Sequence, residues 1–223
     1  GVIRDDLNVY LKDYNFFFGP ETSTANRAMI AGMVGNNSCG LHSPIYDTTR
    51  EHTLEVRAIL SDGSITTFKA LTPEEFEQKC SGETAVSELE ANIYRTLRDR
   101  LSVKAIQEEI RAQFPKKEIR RRRNTGYAID VLMDSEIFTL GGEAFNMCKL
   151  ICGSEGTLAF ITEIKLNCLP LPPKEVGVAC PHFKTIDDSL RANIIAMKHG
   201  AGASELMDEH IIERTRANMA YRN

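Results

Sequence analysis

The chain has 223 residues, of which 42% are hydrophobic and 26% are charged, and its formal net charge is −4. These proportions are typical of a folded globular protein, and the sequence contains no apolar run of the ~20 residues that a membrane-spanning helix needs. The negative charge argues against a nucleic-acid-binding protein, because such proteins are usually basic.

The first half of the chain predicts a helix, a long loop and a strand pair, in that order. Residues 5–14 place Leu7 and Leu11 on one helical face. A loop rich in Gly, Asn and Ser follows from about 18 to 46. Alternating apolar residues then predict strands at 54–60 and 65–68, which the Asp62-Gly63 turn connects.

A helical insertion is predicted at about 72–114, between two β-rich parts of the chain. Thr72 can cap its first helix, because Pro73 and Glu75 follow at the favoured positions. Two more helices are expected at 84–100 and 103–114, and Pro115 stops the second one. The apolar stripe of the longer helix comprises Val86, Leu89, Ile93 and Leu97.

The last third of the chain predicts a second domain. The turn Gly153-Ser154-Glu155-Gly156 leads into a strand at 158–164. The proline-rich segment 169–173 reads as a stiff linker and a domain boundary. Beyond it we expect a strand at 176–179. Two helices should follow, one capped by Thr185 and ending at Gly200, and another starting near Ser204, which is the order that opens an α/β domain.

Six cysteines are scattered without the regular spacing of a disulfide framework. That distribution predicts reduced thiols in a cytoplasmic protein. Cys148 and Cys152 have helical spacing, but no histidine or second cysteine pair completes a zinc site, so we predict no metal.

The loop at 18–46 is the segment that carries the most chemistry. Glycines at 32, 35 and 40 let the backbone approach a ligand closely, and exposed N–H groups in such loops bind anions such as pyrophosphate. Spacing alone is equally compatible with a surface loop that binds nothing. The segment matches neither the Walker pattern nor GxGxxG, so a nucleoside triphosphate or NAD has little support.

Several ordered motifs resemble the FAD-linked oxidases of the vanillyl-alcohol-oxidase type. The most similar branch holds glycolate oxidase, D-lactate dehydrogenase and D-2-hydroxyglutarate dehydrogenase. The resemblance covers about 1–173 well and 174–223 more loosely. The motifs that carry it are Pro20–Ser23, Gly32–Gly40, Tyr46–Arg50, Asp62-Gly63, Asn124–Ile129 and Gly153–Glu163.

The resemblance implies an α+β fold that is only part of a longer protein. Residues 1–173 would be the second subdomain of a PCMH-type FAD-binding domain, with the helical insertion, and 174–223 would begin an α/β cap (substrate) domain. The chain begins and ends within patterned sequence, so we expect an excised fragment. An N-terminal flavin subdomain, with its glycine-rich pyrophosphate loop, and the remainder of the cap domain would be missing. In relatives that remainder carries the catalytic histidines, so no catalytic residue is assigned here.

The resemblance also implies roles for individual residues. Residues facing the pyrophosphate, ribityl chain or ring of FAD would be Thr22, Ser23, Gly32, Asn36, Ser38 and Gly40. Gly153, Glu155, Gly156 and the backbone of Ile161 would lie near the pyrophosphate and adenine. Some distant flavoproteins attach FAD covalently through residues placed like Cys39 and His42, but we interpret Cys39 as a small packing residue.

The basic run Lys116–Arg123 has three interpretations. It could bind nucleic acid, which the acidic balance disfavours, or it could be a solvated face. By resemblance, Arg123 would face a substrate carboxylate, which a planar guanidinium binds with two hydrogen bonds. Tyr127 would orient the substrate or pack on the flavin. Both residues could equally be structural.

The function that the resemblance implies is hydride transfer from the α-carbon of a D-2-hydroxyacid to FAD, which gives a 2-oxoacid. The substrate would be of the lactate, glycolate or 2-hydroxyglutarate class, and the electron acceptor stays open. One alternative is a non-catalytic interaction module that docks through the stripe at 86–97. Another is a reductase of the same fold that takes hydride from NADPH.

Overall fold

A computed structural model describes residues 1–115, 123, 126–218 and 220. The chain forms two compact units, Gly1–Leu171 and Pro172–Asn223. The first unit mixes helices with small antiparallel sheets, which confirms the predicted α+β class. The domain assignment at 1–173 and 174–223 stays a prediction.

The first unit contains these elements. Its helices are α1 (Arg4–Lys12), α2 (Ile30–Asn36), α3 (Ser43–Tyr46), α4 (Thr49–His52), α5 (Pro73–Ser81), α6 (Glu88–Leu101), α7 (Lys104–Gln113), α8 (Ile129–Met133) and α9 (Cys148–Ile151). Its strands are β1 (Phe16–Phe17), β2 (Thr53–Ile59), β3 (Ile65–Phe68), β4 (Ala70–Leu71), β5 (Phe145–Asn146), β6 (Phe160–Leu166) and β7 (Leu169–Pro170).

The central sheet has the order β3-β2-β6, and every pair in it is antiparallel. The predicted hairpin is confirmed, with Ile59 opposite Ile65 and Gly63 at a positive φ of 82° in the turn. The strand expected at 158–164 lies at β6, two residues later. Val56 and Ala58 of β2 are fully buried, so the inner face of the sheet supports the main core.

Aromatic side chains fill the space between the sheet and the helical insertion. Phe76, Tyr94 and Phe145 are almost completely buried, and the Phe76 and Phe145 ring centroids are 4.7 Å apart. Leu89, Ile93 and Leu97 of the predicted stripe pack against this core, whereas Val86 lies outside it and is 49% exposed. The insertion is therefore packed onto the β-rich part through most of its stripe.

Helix starts in the insertion follow local capping chemistry. Thr72 and Glu75 form the predicted capping box. The next helix begins at Glu88 rather than at 84, because the Ser87 side chain accepts a hydrogen bond from the Glu90 backbone N–H. Glu90 is fully buried, and its carboxylate contacts the Lys79 ammonium at 2.9 Å.

The proline-rich segment is not wholly a linker. Leu169 and Pro170 form β7, which pairs with Phe16 and Phe17. The prediction missed this contact because the two partners lie about 150 residues apart in the sequence, so neither segment reveals the other.

The second unit contains two helices in its described part, α10 (Ile186–Lys198) and α11 (Glu209–Ala217). The cap at Thr185 is confirmed, and Gly200 has the positive φ that commonly follows a helix end. The strand predicted at 176–179 is wrong, because residues 172–218 supply no strand to pair with it. The second helix starts five residues later than expected, where Asp208 caps it.

Within the part of the chain that the structure describes, no helix is both long and apolar enough to cross a membrane.

Candidate functional site

Two glycine motifs that are far apart in the sequence form one surface, which we call the glycine junction (Val34–Ser38 and Cys152–Thr157). The Gly153 N–H donates to the Val34 carbonyl at 3.0 Å, and the Glu155 N–H donates to the Gly35 carbonyl at 2.9 Å. Glu155 and Gly156 both have positive φ and are exposed. The end of α2 and the turn before β6 therefore present their backbones side by side.

Asn37 holds the junction together from inside. It is fully buried and left-handed, with a φ of 51°. Its side-chain oxygen accepts the Arg50 backbone N–H at 2.8 Å and lies 2.9 Å from the Thr48 hydroxyl. Its amide nitrogen donates to the Arg123 carbonyl at 3.3 Å. One side chain thus links the end of α2, the start of α4 and the segment before Gly126.

Arg50 fixes the other half of the junction. Its guanidinium is buried and donates to the carbonyls of Lys149 at 2.8 Å and Cys152 at 2.7 Å. Burial lowers the pKa of Arg50, which the nearby Glu51 partly offsets. Because both bonds end on backbone carbonyls, Arg50 sets the direction in which the chain enters the Gly153 turn.

A second contact joins the loop around Thr22 to the loop around Gly40. Glu21 Oε1 accepts the His42 backbone N–H at 2.9 Å and lies 2.6 Å from His42 Nδ1. A Cβ at Gly40 would lie 2.2 Å from Glu21 Cγ, so only glycine fits there. The predicted FAD-contacting residues on both loops are therefore held in one arrangement by the contact between Glu21 and His42.

This contact predicts a pH-dependent stability. Partial burial raises the pKa of Glu21, but hydrogen bonds from the His42 backbone and ring outweigh it, so that pKa lies below its usual value. A lowered pKa stabilises the folded state above the ordinary glutamate pKa, and this contribution is lost as the pH falls through the lowered value. Glu21→Gln should therefore be less stable than the wild type at neutral pH, and the difference should shrink in acid.

Urea unfolding at neutral and acidic pH measures that difference. Glu83→Gln is the control, because Glu83 is exposed and no ion pair is found for it in the described part of the chain. An equal loss of stability for Glu21→Gln at both pH values would contradict the predicted role of the carboxylate.

The structure brings most, but not all, of the predicted cofactor-binding residues to the junction. Asn36, Ser38, Gly153, Glu155 and Gly156 belong to it, and Asn36 Nδ2 donates to the Ser38 hydroxyl at 2.9 Å. Thr22, Ser23 and Gly40 lie on the loops that Glu21 and His42 connect, and Gly32 lies on an exposed face of α2. Ile161 does not belong to the junction or to these loops; it lies within β6, opposite Ala58 of β2.

Arg123, the predicted carboxylate ligand, already has partners. Its guanidinium forms two contacts with the Asp130 carboxylate, one of them 2.6 Å long, and lies 5.3 Å from the centre of the Phe114 ring. The pair borders a cavity of about 310 Å³, and Thr48, Arg50 and Glu51 form part of its wall. Residues 116–122 of the basic run, with Asn124 and Thr125, lie outside the described residues.

Tyr127, the other predicted substrate-binding residue, lies at the rim of the junction. Its side chain is 46% exposed, and its hydroxyl is 2.6 Å from the Thr157 hydroxyl. Sequence reasoning missed the roles of Asn37, Arg50 and Thr157. The only local signal for Asn37 was an asparagine directly after α2, a position that favours left-handed backbone.

The described cysteines do not form part of a metal-ligand cluster. No group of three or more potential metal-ligating side chains occurs among residues 1–115, 123, 126–218 and 220. Cys39 is buried, which favours the packing role over covalent attachment of a cofactor. Burial raises the pKa of Cys148 to about 12 and that of Cys152 to about 11, so neither thiol is activated as a nucleophile.

Comparison with known proteins gives this geometry a context. Residues 1–69 match the FAD binding domain family. The chain is 33% identical over 221 residues to the D-2-hydroxyglutarate dehydrogenase of Pantoea ananatis and 32% identical over 221 residues to that of Escherichia coli. The chain is thus similar to D-2-hydroxyglutarate dehydrogenases over almost its whole length. The resemblance predicted from its motifs is thereby confirmed.

The alignments with these two dehydrogenases include 99% of the chain but only 20% of each relative, so the chain spans about a fifth of their length. A more distant relative is the mitochondrial D-lactate dehydrogenase [cytochrome] 1 of Saccharomyces cerevisiae. It is 24% identical over 220 residues, which are 98% of the chain and 26% of the yeast protein. Both glycine motifs of the junction lie inside these alignments, because nearly the whole chain is covered.

Proposed function

We propose that the chain forms part of an FAD-dependent dehydrogenase that oxidises a D-2-hydroxyacid to the 2-oxoacid. Residues 1–173 would be the second subdomain of its PCMH-type FAD-binding domain, and residues 174–223 would begin its cap domain. The observation that supports this proposal best is the glycine junction, where direct backbone hydrogen bonds join two of the motifs that carry the resemblance.

The exposed side of the junction fits a flavin nucleotide. At Gly156 of the junction, and at Gly32 on α2, no atom from another part of the chain lies within 4 Å of the place where a Cβ would be, so a ligand can reach the backbone there. Exposed backbone N–H groups in such concave loops favour a pyrophosphate. Ser23 and Asn36 are also exposed, and they add a hydroxyl and an amide for the ribityl chain or the ring.

When bound, FAD would supply the redox chemistry by accepting a hydride from the substrate α-carbon. The residues of this chain would bind and orient. Arg123 could receive the substrate carboxylate only if Asp130 gives up its place on the guanidinium, since the two are paired in the present structure. The particular hydroxyacid and the electron acceptor are not assigned, and a cytoplasmic location stays a prediction.

The interaction-module alternative is weakened by the packing of the insertion. Its docking stripe would have to be unpartnered, yet Leu89, Ile93 and Leu97 pack against the main core. No feature of the described residues favours NADPH over a hydroxyacid as the hydride donor, so the reductase remains an outcome of the experiment below.

The test is a flavin titration followed by reduction. FAD is added to the purified chain and to the full-length protein that contains it, and binding is measured from the visible flavin spectrum. We expect weak binding and no turnover for the chain. In the full-length protein, one D-2-hydroxyacid should bleach the flavin under anaerobic conditions.

Variants make the titration specific for the junction. Asn36→Ala should weaken FAD binding by roughly fivefold, the change expected for one neutral hydrogen bond. Asn92→Ala, on an exposed part of α6, is the matched control. A full-length protein without flavin, or one that only NADPH reduces, would contradict the proposed function.

A further inference from the structure

A short chain of hydroxyl groups fixes the direction of one hydrogen bond at the junction. The Thr157 hydroxyl donates to the Ser154 carbonyl oxygen at 2.6 Å. The Tyr127 hydroxyl lies 2.6 Å from the same Thr157 oxygen. A threonine hydroxyl has one hydrogen, and a carbonyl oxygen can only accept. The hydrogen between Tyr127 and Thr157 therefore comes from Tyr127.

This direction determines what Tyr127 can offer to a ligand. Once its hydrogen is used on Thr157, the phenol oxygen has only acceptor lone pairs left. The side chain is 46% exposed, so those lone pairs can be reached from outside.

We propose that Thr157 is a positioning residue that holds the Tyr127 hydroxyl as a hydrogen-bond acceptor for a ligand hydroxyl group. The identity of the ligand rests on the proposed function, while the direction of the hydrogen bond does not. A carboxylate only accepts hydrogen bonds, so Tyr127 cannot bind the carboxylate end of a 2-hydroxyacid in this arrangement. Its partner is an alcohol, either a ribityl hydroxyl of FAD or the α-hydroxyl of the substrate.

The donor state of Tyr127 can be measured on the chain without any cofactor. In ultraviolet resonance Raman spectra, the intensity ratio of the tyrosine ring doublet differs between a hydroxyl that donates and one that accepts. Subtracting the Tyr127→Phe spectrum from that of the wild type isolates Tyr127 from the other five tyrosines.

We expect a donor signature in the wild type and in Thr157→Ser, which keeps the hydroxyl. Thr157→Val, which has nearly the same shape, should shift the signature towards that of tyrosine in water. Thermal melting curves should show that the wild type and both Thr157 variants are folded, because Thr157 is exposed. An acceptor signature in the wild type, or identical signatures for Thr157→Val and the wild type, would overturn the assignment.

Ligand binding identifies the alcohol. Affinity for FAD, and the KM for the D-2-hydroxyacid in the flavin-loaded full-length protein, are measured for the wild type, Thr157→Val and Thr157→Ser. If Thr157→Val, but not Thr157→Ser, lowers the affinity for FAD roughly fivefold, the ligand hydroxyl belongs to the ribityl chain. If Thr157→Val instead raises only the KM for the hydroxyacid by this factor, the ligand hydroxyl is the α-hydroxyl of the substrate. If neither the FAD affinity nor the KM changes, the acceptor role is wrong. A wild type that binds no FAD counts against the proposed function, and the Raman result then decides the assignment of Tyr127.

Discussion

Replacing Gly153 with alanine should be the most damaging single methyl addition at the glycine junction, with a loss of about 3 kcal/mol in the free energy of unfolding. Gly153 has a φ of 95°, a conformation that side chains with a Cβ rarely adopt. The new Cβ would lie 3.0 Å from Arg50 Nη2 and 3.1 Å from the Gly126 carbonyl oxygen. Arg50 cannot move away easily, because its guanidinium is buried and bonded to the Cys152 carbonyl.

Gly156→Ala is the matched control for this prediction. Gly156 also has a positive φ, of 74°, but no atom beyond its chain neighbours lies within 4 Å of its Cβ position. Alanine there should cost about 1 kcal/mol, which is the conformational strain alone. Urea unfolding of both variants measures the two losses. Equal losses would show that the contacts of Gly153 with Arg50 and Gly126 are not tight.

The parts of the fold that were predicted from the sequence are those that local chemistry specifies. The Asp62-Gly63 turn, the Thr72 capping box and the Thr185 cap each act within a few residues, and the structure has all three. The helix expected from 84 begins instead at Glu88, after the cap Ser87, because several residues in that stretch can cap a helix. Capping chemistry predicted that a helix begins there, but not which residue begins it.

Contacts between distant segments could not be read in the same way. The short strand β7 exists because Phe16 and Phe17 pair with it, and a proline-rich sequence gives no sign of such a partner. The strand predicted at 176–179 is the converse case. Its apolar pattern suits a strand, but the described part of its unit has no partner strand for it to pair with.

The same distinction applies to the candidate site. Both glycine motifs were identified from the sequence, because glycine at fixed spacing is visible in the chain itself. The residues that hold the motifs together act across long separations. Arg50 reaches Cys152, 102 residues away, and Asn37 reaches Arg123, 86 residues away. Their side chains are ordinary in sequence, and only the fold shows what they contact.

Replacing Asn37 with alanine should cost about 4 kcal/mol in the free energy of unfolding, of which the larger part is the loss of hydrogen bonds. The Arg50 backbone N–H, which Asn37 accepts at 2.8 Å, would be left buried without that partner. Alanine would also have to adopt the left-handed φ of 51°. Such a loss is a large fraction of the 5–15 kcal/mol that typically stabilises a domain.

Two further variants separate the contributions at this position. Asn37→Gly tolerates the left-handed conformation, so it should recover about 1 kcal/mol of the loss while the hydrogen bonds stay broken. Asn36→Ala removes the neighbouring amide, which is exposed. In the described residues, the one contact found for this side chain is with the Ser38 hydroxyl. The free energy of unfolding of this variant should therefore change by less than about 0.5 kcal/mol. We therefore expect Asn37 to affect unfolding and Asn36 to affect FAD binding. If Asn37→Ala unfolds like the wild type in urea, the junction is held by backbone contacts alone, and the role assigned to Asn37 is wrong.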